Sequence, residues 1–371
     1  MKVIILMSDT GGGHRSVAAA VKSALVTEKP EISVELVDGL LDYAPYPLNR
    51  LPDWYATIIA RFVGLWRYGY LLTDGPVRAQ MLNLLARPFL RSSVHRFVEQ
   101  HQCDLLVSTH PMLVSSILDG LGVNRPPFVT VVTDLVTAHA WWFDIRADLT
   151  LVPTEEARNK ALKCGIASDQ VQVAGLPVSG SFSKKLNRKL AHEKLGWDSS
   201  AFTVLLMAGA EGMEPLWDIA NAFRSSNMAL QLAIVCGRNE RILSEFQALD
   251  WPADTYLYGF VDNMSVLIRG ADVVITKAGP STVMEVINCG RPLLLCGAIP
   301  GQEDGNVRFV LENNLGWWTP FPEDVLSRLR VLQRMDTRRK DSVSMAIDSL
   351  FASRSASTVA SEIIGLLPKA V

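Results

Sequence analysis

Short apolar runs recur along the chain, each followed by mixed apolar and polar residues at helical spacing. In the first half they are Val3–Met7, Val34–Val37, Leu105–Ser108, Phe128–Thr133, Leu149–Val152 and Val171–Val173. After a break at Gly175-Leu-Pro-Val-Ser-Gly180 come Thr203–Met207, Leu230–Cys236, Thr255–Tyr258, Val273–Ile275 and Leu293–Leu295. Runs this short, with few interposed polar residues, suit strands covered on both faces. Their alternation with helical segments predicts βαβ units, hence an α/β protein whose parallel sheets carry helices on both sides. A chain of 371 residues exceeds what one hydrophobic core supports, so two domains are expected. The Gly-, Pro- and Ser-rich stretch Gly175–Ser183, followed by charged Lys184–Lys194, places the boundary near residue 180. The expected parts are 1–180, 181–350 and a last small-residue and apolar helix within 351–371 that can pack across either domain.

Two turns carry the chemistry. Ala271–Thr276 reads as a buried strand that stops at Gly279-Pro280, with a helix beginning at Ser281 or Thr282. A helix start directs backbone N–H groups and a positive dipole end at whatever lies above the sheet, a ready phosphate site. Proline suits the first helical turn, where its missing N–H is not needed. Glu285, one turn further on, is placed to accept hydrogen bonds from sugar hydroxyls; the plainer alternative is an ordinary strand–turn–helix with a solvated glutamate. Far upstream, the strand Lys2–Met7 runs into Asp9-Thr-Gly-Gly-Gly-His-Arg15, and a small-residue helix from Ser16 to Leu25 follows. Two such units, about 270 residues apart, suggest two nucleotide-type half-sites, one per domain. Gly11-Gly-Gly13 with Asp38 partly imitates a dinucleotide fingerprint. A histidine in that turn and a second phosphate-type turn in the other half argue against an oxidoreductase.

Composition removes several classes. Apolar residues make up 49% of the chain, the net charge is −2, and no Lys/Arg block is present, so a nucleic-acid partner is not expected. Cys103, Cys164, Cys236, Cys289 and Cys296 form no C-x-x-C pair and read as reduced core thiols of a cytosolic compartment. Met1–Met7 is too short for a signal peptide, and no apolar stretch reaches the ~18 residues of a membrane span. Tyr46–Arg96 departs from the βαβ rhythm. It combines Trp54, Tyr55, Phe62, Trp66, Tyr68, Tyr70 and Phe89 with seven arginines against Asp53 and Asp74, and it has no lysine. Aromatic residues and arginines on amphipathic stretches suit an element lying among lipid headgroups. Long apolar helices packed on a sheet are the competing explanation.

The sequence resembles the monogalactosyldiacylglycerol synthases and the related bacterial diacylglycerol glucosyltransferases of glycosyltransferase family 28. The likeness runs in order through Met7–Arg15, Val132-Thr-Asp-Leu135 with His139 and Trp142-Phe143, Gly175-Leu-Pro-Val178, Met207–Met213, Cys236-Gly-Arg-Asn239, Gly259-Phe260, Thr276–Pro280, and Pro300-Gly-Gln-Glu303 with Asn306. Relatives tend to have glycines and no acid where this chain has Ala208, Ala210 and Glu214, and Ala140-Trp141 doubles the tryptophan before Trp142. The family implies a GT-B fold, two Rossmann-like doubly wound domains facing a central cleft. It also implies a C-terminal helix crossing back to the N-terminal domain.

The implied activity is inverting transfer of a hexose from a UDP-sugar to the free hydroxyl of 1,2-diacylglycerol. It would be carried out by a peripheral protein at the cytoplasmic face of a membrane, with anionic lipid as a further partner of the arginine-rich segment. Galactose is favoured because the Ser8–Arg15 and Cys236–Asn239 strings look closer to that branch. A glucosyl donor, or a UDP-N-acetylglucosamine-dependent transferase of lipid-linked cell-wall precursors, are the alternatives. The resemblance assigns Gly13, Gly209, Glu211, Gly212, Arg238, Phe260, Val261, Lys277, Gly279, Pro280, Ser281, Thr282 and Glu285 to the UDP moiety or its surroundings, and Gln302, Glu303 and Asn306 to the hexose. Trp54, Trp66, His139 and Trp142 fall to the acceptor and membrane. The residues themselves make His14 a general base, because imidazole titrates near neutrality, with contact to phosphate or acceptor as its other role. Asp134 orients or charge-stabilises His14, or acts as the base itself. No Asp-x-Asp pair stands at a strand end, so no metal site and no cofactor are expected.

Overall fold

The computed structural model describes residues 1–10, 12–184, 186–207, 214–335 and 356–368. Gly209, Glu211 and Gly212 lie outside the described residues. The chain divides into two compact units, one of 1–180, 299–305 and 353–371, the other of 181–298 and 306–352.

The first unit begins β1 (Lys2–Met7), α1 (Gly13–Glu28), β2 (Ser33–Asp38), α2 (Leu51–Arg61), α3 (Val63–Thr73) and α4 (Pro76–Gln100). It continues through β3 (Leu105–Ser108), α5 (Pro111–Leu121), β4 (Phe128–Val131), β5 (Leu149–Val152), α6 (Glu155–Lys163) and β6 (Val171–Val173). All its strands pair in parallel, in the order β2-β1-β3-β4-β5-β6. Ile4 and Leu6 of β1 pack with Phe97 of α4 and with Val114 and Ile117 of α5 on one side of the sheet. The β4 strand ends at Val131, two residues short of the apolar run. Beyond its last pairing with Leu151 the backbone leaves the ladder, and this frees Thr133 and Asp134 to form a loop.

The second unit holds α7 (Gly180–Ser183), α8 (Arg188–Leu195), β7 (Thr203–Met207), α9 (Glu214–Ser225), β8 (Gln231–Val235), α10 (Glu240–Gln247) and β9 (Thr255–Tyr258). Then come α11 (Met264–Gly270), β10 (Val273–Lys277), α12 (Pro280–Asn288), β11 (Leu293–Gly297), α13 (Asp304–Glu312), β12 (Gly316–Trp318) and α14 (Pro322–Arg334). Its parallel order is β12-β11-β10-β7-β8-β9. Val204, Leu206, Ile234, Ile275 and Leu294 pack against Ile219, Phe246 and Leu329. The β12 strand has no counterpart among the apolar runs: three residues at a sheet edge, paired only with β11, are too short for a periodicity. The final helix, α15 (Ala356–Gly365), returns to the first unit and packs on α1, burying Val359, Ala360 and Ile363.

In each sheet the strand order reverses once, between β1 and β3 in the first and between β7 and β10 in the second. Open α/β sheets bind ligands beyond the strand ends at such a point.

Candidate active site

In the first unit, the reversal brings together the turn after β1 and the end of β3. Gly12 stands at the N-cap of α1 with φ 76°, a left-handed conformation that glycine adopts without the strain of a Cβ. The helix starts inside the glycine turn, at Gly13, so His14 belongs to its first turn and not to the loop before it. Nδ1 of His14 lies 2.8 Å from the Thr109 carbonyl and 2.9 Å from Thr133 Oγ1. A carbonyl only accepts, so Nδ1 carries the proton and Nε2 is left with the basic lone pair. The protein packed around the ring drives its pKa down to about 4, against smaller pulls from the Thr109 hydrogen bond and Asp9. His14 is therefore neutral throughout the physiological range.

His110 stands beside it, ring centroids 4.6 Å apart. It is buried, its Nε2 is 3.0 Å from Thr10 Oγ1, and its Nδ1 has no hydrogen-bond partner. Desolvation, with His14 as a second cause, holds its pKa well below the usual histidine value.

Asp134 does not orient His14, whose Nδ1 is held by Thr109 and Thr133. Its carboxylate instead accepts from Trp142 Nε1 at 2.7 Å and from the His139 backbone at 3.5 Å. Trp142 stands between Asp134 and His14, with its ring 5.9 Å from that of His14. It is wholly buried, which suits the acceptor part of its acceptor-and-membrane assignment and not the membrane part. His139 is likewise buried, with Nδ1 accepting from Trp141 N and Nε2 beside Thr73 Oγ1. Burial lifts the Asp134 carboxyl to about 6, against the opposing hydrogen bonds from Trp142 and His139.

A raised carboxyl pKa means that the folded state prefers the protonated form. The stability from this group is present below about pH 4 and is lost as the pH rises through about 6. Asp134→Asn is therefore expected to stabilise the protein at pH 8 by on the order of 1–3 kcal/mol and to do little at pH 4. Urea unfolding at the two pH values checks this, and equal effects at both would refute the account.

Residues 299–305 belong to this unit. Tyr55 Oη donates to Gln302 Oε1 at 3.2 Å, and the Gln302 amide also hydrogen-bonds the Asp134 carboxylate. Glu303 is buried and closes its own turn by accepting from Ile299 N at 2.8 Å. Gln302 is thus the more accessible of the pair expected on the hexose. Gly305 N donates to Thr137 Oγ1, and a Cβ built on Gly305 would fall 2.3 Å from that oxygen and 2.9 Å from Val136. Gly305→Ala is expected to push the loop off its seat, costing about 1–3 kcal/mol of stability. Thermal unfolding tests this.

In the second unit, β10 ends at Lys277, and Gly279 caps α12 with no side-chain cap hydrogen bond and with Pro280 at the first position. Ser281 and Thr282 follow in the first turn. Glu285 lies in the next turn, and burial raises its pKa to about 7. Gly237 takes φ 63°, Asn239 caps α10 through its side chain, and Arg238 lies over the exposed ring of Phe260 at 4.8 Å; Val261 follows Phe260. Asn306 is buried, with Nδ2 donating to the Ala278 carbonyl and Oδ1 without a partner. Among the described residues no cluster of His, Cys, Asp or Glu is arranged to hold a metal ion.

The helices α2 to α4 expose Trp54, Phe62, Leu65, Tyr68, Leu72, Val77, Met81, Leu84, Leu85 and Phe89. Trp66 differs: it is half-buried and meets Tyr55 edge-on at 5.5 Å. No helix among the described residues is long and apolar enough to cross a membrane. The inner side of these helices grips the site loops. Tyr70 Oη donates to the Thr137 carbonyl at 2.6 Å, and Asp74 accepts from Ala140 N while pairing with Lys160 at 2.7 Å. Sequence reasoning singled out none of Thr109, Thr133, Asp74 or Lys160. Only the position of Thr109, just past a strand at the reversal, signals it.

The profile of the monogalactosyldiacylglycerol (MGDG) synthases matches residues 14–178, and that of the glycosyltransferase family 28 C-terminal domain matches 203–308. Monogalactosyldiacylglycerol synthase 1, chloroplastic, of Arabidopsis thaliana is 35% identical over 337 residues, 87% of this chain and 63% of that protein. Monogalactosyldiacylglycerol synthase 3, chloroplastic, of the same plant is 34% identical over 336 residues, 87% of this chain and 72% of that one. The chain thus spans less than two thirds of the first relative's length. Among solved structures, the spinosyn rhamnosyltransferase SpnG aligns at TM-score 0.64 with 14% identity, covering 98% of this chain and 100% of that one. That likeness is one of fold, the GT-B class of paired Rossmann-like domains.

Proposed function

Since the chain belongs to the monogalactosyldiacylglycerol synthase family, we propose that it transfers a hexose, with galactose favoured, from a UDP-sugar to the free hydroxyl of 1,2-diacylglycerol, with inversion. The observation that carries the reading is His14, whose Nε2 lone pair is fixed by the Thr109 carbonyl at the strand reversal of the first sheet. In this reading Nε2 takes the acceptor hydroxyl proton as that oxygen attacks the anomeric carbon, and UDP leaves from the opposite face.

The start of α12 supports the departing diphosphate. Preorganised N–H groups of this kind are worth about 2.7–4 kcal/mol of barrier each, with Lys277 and Arg238 as cationic neighbours. Gly13, the first residue of α1, is assigned to the donor by the family resemblance. Glu285 holds the ribose, Phe260 and the Val261 backbone flank the uracil, and Gln302, Glu303 and Asn306 are assigned to the hexose. No metal or other cofactor enters the scheme.

The exposed apolar face of α2–α4, with Trp54 and its bordering arginines, is read as the surface that rests on the membrane. Anionic lipid would be favoured there by charge. The five free cysteines suit a reducing compartment.

The test is transfer from radiolabelled UDP-galactose and UDP-glucose to diacylglycerol in mixed micelles. Label in a glycolipid from one donor establishes the activity and names the sugar. Binding of UDP with no transfer from either donor would refute the acceptor assignment.

A further inference from the structure

We propose that Tyr55 is a positioning residue for the hexose site, acting through Gln302. The inference rests on reading the chain as a UDP-hexose transferase and goes beyond it, because α2 otherwise serves only as a lipid-facing element.

The Gln302 side chain is held at both ends. Its Oε1 accepts from Tyr55 Oη at 3.2 Å, and its amide hydrogen-bonds the Asp134 carboxylate. An ionised carboxylate only accepts, so the nitrogen end faces Asp134 and the oxygen end faces Tyr55. A glutamine amide on its own has two nearly equivalent orientations that exchange a donor for an acceptor. With both ends engaged, one orientation is selected. One amide hydrogen and one lone pair then remain at fixed places for sugar hydroxyls.

The backbone around the side chain is pinned as well. Gly301 N donates to Asp304 Oδ2 at 3.0 Å, Glu303 accepts from Ile299 N, and Gly305 N donates to Thr137 Oγ1. Gly301 itself sits against Tyr70 and Arg67 of α3. The backbone does not settle the direction of the amide: the acceptor-only Asp134 carboxylate sets which end is nitrogen, and the Tyr55 hydroxyl holds the oxygen end in place. Tyr55 is in turn steadied by the edge of Trp66. A phenylalanine at 55 keeps that ring contact and removes only the hydroxyl, so folding is not at stake.

The experiment compares wild type, Tyr55→Phe, Gln302→Ala and the double variant. Steady-state transfer from UDP-galactose to diacylglycerol in mixed micelles is measured, with calorimetric binding of UDP-galactose and of UDP alone. Tyr55→Phe is expected to lower donor kcat/KM about 5- to 10-fold, as loss of one orienting hydrogen bond does, while UDP affinity is unchanged. In the Gln302→Ala background the same change is expected to cost nothing, since the two residues act as one unit.

Losses that multiply in the double variant would overturn the proposal. So would an equal fall in affinity for UDP and UDP-galactose, the mark of general disruption. If the wild type transfers no hexose, the transferase reading fails by itself. The calorimetric cycle with UDP-galactose against UDP then decides whether Tyr55 acts through Gln302.

Discussion

Replacing His14 with alanine is expected to lower kcat for sugar transfer by about 10²- to 10⁴-fold, the range for removal of a general base, while UDP binding persists. The geometry explains both halves. The hydrogen bond from Nδ1 to Thr109 fixes the tautomer, so the whole contribution of the ring passes through Nε2. The α12 region, read as the diphosphate and ribose site, does not depend on that nitrogen.

The pH profile sharpens the prediction. A histidine held at about 4 stays neutral down to mildly acid solution, so the acid limb of kcat/KM should not fall at the usual histidine value near 6.5. Transfer by His14→Ala measured from pH 5 to 9, with UDP titrated by calorimetry, separates the roles. Loss of UDP affinity in step with kcat would show that His14 contacts the nucleotide, and the base assignment would fall.

The second large effect is expected at the apolar face of α3 and α4. Leu72 and Leu84 are 69% and 66% exposed, surface that lipid would cover on binding. Burial of a leucine side chain stabilises by about 1.5–3 kcal/mol. Two at roughly two-thirds exposure amount to about 2–4 kcal/mol, or ~30- to 1,000-fold in partitioning. Leu72→Glu with Leu84→Glu is thus expected to reduce vesicle sedimentation by that factor, with UDP binding at its wild-type value. Arg78, Arg87 and Arg91 lie on the same helix as Leu84, each worth about 1 kcal/mol against an anionic surface. Wild-type binding should accordingly weaken as phosphatidylserine is withdrawn or salt is added. Unaltered sedimentation of the double variant would remove the lipid assignment from this face.

The strands were legible because their residues are covered on both sides. Val3 to Leu6 and Val273 to Ile275 lie wholly within the protein, so selection for apolar residues is uninterrupted. Turn chemistry was legible at Gly12 and Gly279-Pro280, where backbone geometry restricts the residue type. What escaped was contact between distant segments. Asp134 sits one residue past the expected strand and nothing local says whether it meets His14. That was decided by Trp142, eight residues on, whose indole N–H takes the carboxylate. Trp142 and His139 were assigned to the acceptor and membrane, but nothing in the sequence said that Tyr70, Thr73 and Asp74 on α3 and its C-terminal flank hold their loop. The amphipathic character of Tyr46–Arg96 reported its outward face only. Its inward hydrogen bonds use single polar atoms that leave no periodic trace.

The return of α15 to the first unit bears on how the chain is made. The body of that unit is complete at residue 180, but the helix that covers α1 is not synthesised until residues 356–365, about 175 residues later. At ~5–20 residues per second on the ribosome, α1 waits roughly 10–35 s with its apolar seam open to solvent. The nascent chain is then most prone to aggregation and most in need of a chaperone. A messenger with slow codons in its last third should lower the soluble yield without changing a single residue of the product.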